Sequence, residues 1–142
     1  MNLDLDPWLL LPLALVLFLM ALPILSRRIK GKVNYTTTGE LNNLLAQDRT
    51  LVLIDIRSEK EFNSGHIEGA VNISPATLKD KVQKGGPDFE ELKHQAVVVV
   101  CHSDIESIGI VKALDNAGFG NASVLQGGML RWKRDRRSVK KG

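Results

Sequence analysis

The one cysteine of the chain occupies a position that suits nucleophilic or sulfur-carrying chemistry. Cys101 directly follows the apolar run Ala96–Val100, and a helical pattern begins a few residues later. Such a run predicts a strand that is buried on both faces. The first free backbone amides of the following helix point into the turn that holds the thiol. Because the thiolate is the reactive form of cysteine, this position favours a nucleophile or a sulfur carrier.

The turn after Cys101 carries charges that oppose this chemistry. Its residues are His102, Ser103, Asp104, Ile105, Glu106 and Ser107. Two of them are carboxylates and none is Lys or Arg, so we expect a raised thiol pKa and repulsion of anionic sulfur donors. Ser103 and Glu106 also match the S-x-x-E capping box, in which both side chains bond backbone amides at a helix start. This pattern predicts a structural rather than a catalytic role for Glu106.

The same turn gives only a weak signal for a metal. His102, Asp104 and Glu106 occupy alternate positions, and no further ligand follows at a spacing typical of metal sites. A sulfur carrier also needs no cofactor, because a ring of backbone amides can stabilise both the thiolate and a terminal sulfur anion. The sequence therefore predicts neither a metal nor a cofactor.

Polar residues also lie near the ends of other predicted strands. Asp55 follows the apolar run 51–54, and Arg57 comes two residues later, on the same side of an extended chain. Glu61 is the candidate partner of Arg57. His66 lies in a Gly-His-Ile turn, where a structural hydrogen bond is expected rather than catalysis.

Apolar strands alternate with helical patterns through most of the chain. The predicted strands are 33–35, 51–54, 70–73, 96–100 and 122–125. The predicted helices are 39–46 (capped by Thr38), 60–64, 75–86 with its Gly-Gly-Pro break, 88–94, 108–117 and 129–136. This alternation indicates a parallel α/β sheet. Ligands of such sheets bind at the carboxyl ends of the strands, where Asp55 and Cys101 both lie.

An apolar segment precedes these elements. Residues 7–25 carry no charged side chain, and at about 1.5 Å per residue they span about 28 Å, close to the hydrocarbon thickness of a bilayer. Asp4 and Asp6 stand where a cleavable signal peptide has its basic residues, so a retained, single-pass transmembrane helix is favoured. The first basic residues follow at 27–32. This asymmetry predicts an inner-membrane protein with its N-terminus outside and its domain in the cytoplasm.

Charge is unevenly distributed over the rest of the chain. The segments 27–32 and 131–141 hold four and seven basic residues, whereas 33–130 holds eight basic and thirteen acidic residues. Nucleic-acid binding is not expected, because no binding motif is present and only Trp132 interrupts the basic stretches as an aromatic residue. Both basic ends could bind anionic membrane lipid. Alternatively, the C-terminal tail is a solvated, frayed end.

Four sequence pieces in a fixed order resemble the rhodanese-like (sulfurtransferase) family. They are Asp55-Ile56-Arg57 with Glu61-Phe62, the run Gly65-His66-Ile67-Glu68-Gly69-Ala70-Val71-Asn72-Ile73, the cysteine loop, and Leu125-Gln126-Gly127-Gly128 with Trp132. With its apolar segment, the chain is similar to membrane-anchored, single-domain bacterial members. The resemblance implies a five-stranded parallel sheet flanked by helices, and a cysteine that carries sulfur as a persulfide. The expected organisation is an anchor at 1–32, a rhodanese-like domain at 33–134 and a basic tail at 135–142.

The cysteine loop departs from the pattern Cys-x-x-Gly-x-Arg-Ser that is frequent in this family. Asp104 and Glu106 occupy the Gly and Arg positions, and Ser107 matches. Phosphatases with this fold carry Arg six positions after the cysteine, where this chain has Ser107, so phosphatase activity is not expected. The resemblance also implies that Asp55 fixes the loops and that Arg57 pairs with acids.

Two functions of different classes remain open. The first is a membrane-anchored sulfurtransferase or persulfide carrier, in which Cys101 exchanges sulfur with a small donor or with a partner protein. The second is a catalytically weak or inactive rhodanese-like module that serves as a protein-binding or scaffolding domain at the membrane. The retained cysteine favours the first function, and the acidic turn favours the second.

Overall fold

The computed structural model describes residues 33–47 and 50–142, and of the first 32 residues only Pro12 and Val16. The chain divides into two units, Met1–Lys32 and Val33–Gly142, and the second is described below. No helix among the described residues has both the length and the apolar character needed to cross a membrane. The transmembrane helix predicted within 7–25 lies almost wholly outside the described residues.

Five parallel strands form one sheet in the second unit. They are β1 (Asn34–Thr36), β2 (Leu51–Asp55), β3 (Ala70–Asn72), β4 (Ala96–Val100) and β5 (Ala122–Leu125). Their order across the sheet is β1-β5-β4-β2-β3, and every neighbouring pair is parallel. The predicted five-stranded parallel sheet is therefore confirmed, and the strand that delivers Cys101 lies at its centre.

Six helices connect and cover the strands. They are α1 (Thr38–Ala46), α2 (Glu59–Ser64), α3 (Pro75–Lys84), α4 (Pro87–Leu92), α5 (Ile105–Asn116) and α6 (Gly128–Arg134). Thr37 caps α1, not Thr38 as predicted, in a capping box with Glu40. Thr38 is unavailable as a cap because its buried hydroxyl donates to Asp135 Oδ2 at 2.5 Å.

The apolar core lies on both faces of the sheet, as expected for covered parallel strands. Successive residues of β4 alternate between the two layers: Val97 and Val99 pack in one cluster, and Val98 and Val100 in the other. The first layer includes residues of α3 and α5, and the second includes Leu41 and Trp132. Each buried side chain of this size contributes about 1.5–3 kcal/mol to folding. The end of β4 is thereby held firmly in place.

The C-terminal tail packs against the domain. The backbone of Lys140 pairs with that of His66 through two hydrogen bonds of 2.8 and 2.9 Å. The indole of Trp132 donates to the carbonyl of Ser138 at 2.9 Å. The interpretation of the tail as a frayed end is therefore wrong, because its backbone groups are bonded to the domain.

Candidate active site

Cys101 and Asp55 lie at the same edge of the sheet. Asp55 is in register with Val100 on the neighbouring strand, and the amide of Ile56 donates to the Val100 carbonyl at 2.8 Å. Cys101 follows immediately and is only 3% exposed. The predicted placement of the thiol between the end of β4 and the start of α5 is confirmed.

The start of α6 holds the cysteine loop by direct backbone contacts. The amide of Met129 donates to the Cys101 carbonyl at 2.9 Å, and that of Leu130 donates to the His102 carbonyl at 3.2 Å. A Cβ at Gly128 would lie 2.6 Å from the Cys101 carbonyl oxygen, and its φ of +54° is left-handed. Only glycine allows this approach. The sequence predicts only a simple turn at Gly128 and gives no sign of its contact with the site.

The thiol of Cys101 is hydrogen-bonded to a carboxylate. Its Sγ donates to Glu106 Oε2 at 3.0 Å. Burial raises the pKa of the thiol to about 11, and the bond to Glu106 and the charge of Glu106 act in the same direction. The backbone amides of His102 and Ser103 lower the pKa of the thiol, but they do not outweigh these effects. The resting site therefore holds a neutral thiol.

This arrangement tests two predictions about the loop. Glu106 does not form a capping box with Ser103, because its carboxylate accepts a hydrogen bond from the thiol and α5 begins after Asp104 without any side-chain cap bond. The predicted rise in the thiol pKa is confirmed, with burial as its largest cause. Of the two carboxylates, only Glu106 is among the groups that shift it.

Replacing Glu106 with Gln is expected to raise the rate at which Cys101 reacts with iodoacetamide at pH 7 by about tenfold. The substitution removes the charge of Glu106 while burial, the largest cause of the high pKa, remains. A tenfold increase in the thiolate fraction corresponds to a decrease of one unit in the pKa of the thiol. The matched control is Glu91→Gln, at an exposed position of α4. Equal alkylation rates in the two variants between pH 7 and 9 would contradict the role of Glu106.

A cavity of about 560 Å³ opens beside the cysteine loop. It is lined by Ser103, Asp104, Gln126, Gly127, Leu130, Arg131 and Arg134. The two arginines bring positive charge close to a loop that has none, although Arg131 Nε also lies 3.7 Å from Asp135 Oδ2. The sequence places both arginines in the basic segment 131–141, and nothing in their spacing indicates that α6 borders the loop.

The fold agrees with comparisons to known proteins. A model described as the rhodanese-like domain matches residues 37–135. The chain belongs to the rhodanese-like family. It is 30% identical to the uncharacterized protein YibN of Escherichia coli, over 75% of this chain and 71% of YibN. It is also 30% identical to the thiosulfate sulfurtransferase GlpE of Shewanella oneidensis, over 62% of this chain and 81% of GlpE.

A solved structure supports the same fold. The crystal structure of a rhodanese-like domain protein from Staphylococcus aureus matches with a TM-score of 0.64 and 24% sequence identity. The match covers 78% of this chain and 99% of the other. The predicted family and its α/β architecture are thus confirmed.

A buried ion pair braces the rhodanese-like domain next to the cysteine. Arg57 donates to both carboxylate oxygens of Asp55, at 2.6 Å from Nη2 to Oδ2 and 3.0 Å from Nε to Oδ1. It also donates to the carbonyls of Glu61 and Gly65, while the amide of Asn72 bonds the carbonyls of Asp55 and Arg57. The pair thus connects the end of β2 to α2 and β3.

The carboxylate of Glu61 is not the partner of Arg57, contrary to the prediction. It caps α2 through Ser58, which lowers its pKa, and its other oxygen lies 3.8 Å from His102 Nδ1. Asp55 takes the guanidinium because it is buried and only two residues away.

His66 and Ser107 differ in how well their polar groups are bonded. The Nδ1 of His66 donates to the Phe62 carbonyl at 2.9 Å, and its ring stacks on that of Phe62 at 3.8 Å between centroids. The predicted structural hydrogen bond of His66 is therefore confirmed.

Ser107 is fully buried, and its hydroxyl has no hydrogen-bond partner among the described residues. Ile105, by contrast, is 75% exposed.

The described residues contain no group of three His, Cys, Asp or Glu side chains that could hold a metal ion. His102, Asp104 and Glu106 belong to one loop, but they do not converge: His102 lies near Glu61, and Glu106 bonds the thiol.

Proposed function

We propose that the protein is a membrane-anchored sulfurtransferase or persulfide carrier in which Cys101 accepts a sulfur atom. The observation that carries the proposal is the position of the thiol, which is buried at the end of β4, where the backbone amides of His102 and Ser103 lower its pKa. These amides suit the negative charge of a terminal persulfide sulfur. The relationship to a thiosulfate sulfurtransferase supports the same chemistry.

The transfer requires no cofactor. The Cys101 sulfur attacks the outer sulfur of a donor, a sulfur–sulfur bond forms at the cysteine, and the donor's own bond to that sulfur breaks. An acceptor nucleophile later removes the outer sulfur and regenerates the thiol. The cavity bordered by Ser103 and Arg131 gives space for a small donor, or for a side chain of a partner protein, beside the loop.

The second candidate is a catalytically weak or inactive rhodanese-like module that binds or scaffolds other proteins at the membrane. The observation that favours it is the bond between Cys101 and Glu106, since a thiol with a pKa of about 11 is almost fully protonated at neutral pH. In that case the loop and its exposed Ile105 serve only as a contact surface.

Sulfur loading distinguishes the two functions. We expect the full chain, purified in detergent and exposed to sulfur donors, to gain one sulfur atom on Cys101, as measured by intact-protein and peptide mass spectrometry. Cys101→Ala is the control and should gain none. If no donor loads the wild type, and its thiosulfate:cyanide activity equals that of Cys101→Ala, the protein is not a sulfurtransferase and the second candidate stands.

The membrane location is part of the proposal. The apolar segment within 7–25 supports a single helix in the inner membrane, with the domain in the cytoplasm and the basic ends close to anionic lipid. A reporter fused after Gly142 is expected to be active in the cytoplasm and inaccessible to protease added outside. Recovery of the fusion in the membrane-free fraction would contradict the anchor.

A further inference from the structure

We propose that Glu106 is a catalytic residue that accepts the Cys101 proton during sulfur transfer, and that it makes the site selective for organic persulfides over thiosulfate. This inference rests on the proposed function and identifies its donor class. It replaces the interpretation of Glu106 as a helix cap.

Glu106 is the one group in position to take the proton, among the residues that the structure describes. Its Oε2 lies 3.0 Å from Cys101 Sγ, within the 2.6–3.2 Å range expected of a general base. His102 is mostly exposed, and its Nδ1 faces Glu61. The Nδ1 of His66 is bonded to the Phe62 carbonyl.

The environment of the thiol favours such an acceptor. Cys101 is buried at the end of the central strand, and burial favours the neutral thiol. A neutral thiol is a weak nucleophile, so the proton must leave before or as the new bond forms. Glu106 is exposed to solvent, and its Oε2 contacts the thiol.

The step balances with an organic persulfide, R–S–S–H. The Cys101 sulfur attacks the outer sulfur of the donor, and the thiol proton moves to Glu106 as the bond forms. The sulfur–sulfur bond of the donor breaks, and its electron pair leaves with R–S⁻. Glu106 then returns the proton to this strongly basic thiolate. The products are the Cys101 persulfide and R–S–H, with no other oxidant or reductant consumed.

Glu106 accelerates sulfur transfer from thiosulfate less than transfer from an organic persulfide. Its two negative charges approach the Glu106 carboxylate, which repels them. Its leaving group, sulfite, is a much weaker base than an alkyl thiolate, so the return of a proton helps its departure little. One carboxylate thereby assists one class of donor and hinders the other.

The test compares full-length wild type with Glu106→Gln at pH 7. The probes are the persulfide of 2-mercaptoethanol, which carries no charged group besides its sulfur, and thiosulfate. Quenched mass spectrometry measures the second-order rate constant for the gain of one sulfur on Cys101. The matched control is Glu91→Gln on α4, and circular dichroism verifies that each variant is folded.

We expect opposite changes with the two donors. A general base contributes about 10²-fold or more to the rate. Glu106→Gln loses this contribution, but its thiolate fraction rises about tenfold. Loading from the organic persulfide should therefore fall at least about tenfold in Glu106→Gln. Loading from thiosulfate should rise about tenfold. If thiosulfate loads neither protein, the test rests on the organic persulfide alone. Its loading rate constant must then be lower in Glu106→Gln than in Glu91→Gln.

Parallel changes would overturn the inference. If loading from both donors rises together, Glu106 only suppresses the thiolate; if both fall equally, it only supports the loop. Should the wild type load and Glu106→Gln match Glu91→Gln with the organic persulfide, this inference alone fails. If the wild type gains no sulfur from either donor, the proposed function fails with it.

Discussion

Replacing Gly128 with Ala is expected to displace the cysteine loop and to abolish sulfur loading of Cys101. The new Cβ would lie 2.6 Å from the Cys101 carbonyl oxygen and 2.8 Å from that of His102. Both contacts involve backbone atoms, so no side chain can rotate away. The left-handed φ of +54° adds strain for any residue with a Cβ. Overpacking and strain together should lower the free energy of unfolding by about 3 kcal/mol or more.

A second glycine provides the control. Gly109 lies within α5, and a Cβ added there would meet no atom within 4 Å beyond its chain neighbours and the backbone of its own helix. Gly109→Ala is expected to stabilise the domain slightly, by about 0.5–1 kcal/mol, because alanine loses less backbone entropy in a helix. Denaturant unfolding and mass spectrometry of Cys101 measure both effects. If Gly128→Ala loads sulfur as fast as Gly109→Ala, α6 does not position the loop.

Replacing Arg57 with Met is expected to reduce the free energy of unfolding by about 3–5 kcal/mol. The two side chains of the Asp55–Arg57 pair are 1% and 3% exposed, respectively. Methionine can fill much of the space of the arginine stem, but it leaves the Asp55 carboxylate buried without its partner. It also removes the donor to the carbonyls of Glu61 and Gly65. The loss is a large fraction of the stability of a typical domain.

An exposed ion pair tests whether burial is the cause. Lys84 and Asp80 form a pair in α3 whose side chains are 73% and 56% exposed. Lys84→Met should cost only a small fraction of the loss seen in Arg57→Met, because exposed pairs are well solvated. Urea unfolding followed by circular dichroism measures both variants. Similar losses would mean that the buried pair is not the brace we describe.

Much of the fold could be predicted because its elements have strong local signals. The run of four valines before Cys101 can hardly form anything other than a buried strand, and β4 has the predicted bounds. The helix ends were less certain, since Thr37 and Thr38 are both good caps by composition. The choice between them depends on Asp135, which is distant in sequence and takes the Thr38 hydroxyl.

The site could be predicted only in part, because its decisive contacts are tertiary. Ser103 and Glu106 have the spacing of a capping box, and the sequence does not show that the thiol competes for the carboxylate. The sequence offers Glu61 as a partner for Arg57 and assigns Asp55 a structural role, but it does not show that Arg57 binds Asp55. Gly128 has an ordinary turn signal, and its role arises only because α6 starts beside the Cys101 carbonyl.

The pairing of the first strand with the last also has a consequence for biosynthesis. Asn34 of β1 is in register with Ser123 of β5, and β1 pairs with no other strand of the described sheet. The ribosome must therefore synthesise nearly the whole domain before β1 can pair with β5. Contacts between such distant segments form slowly. We expect the sheet to close only after translation of β5, with β1 an unprotected edge of the nascent chain until then.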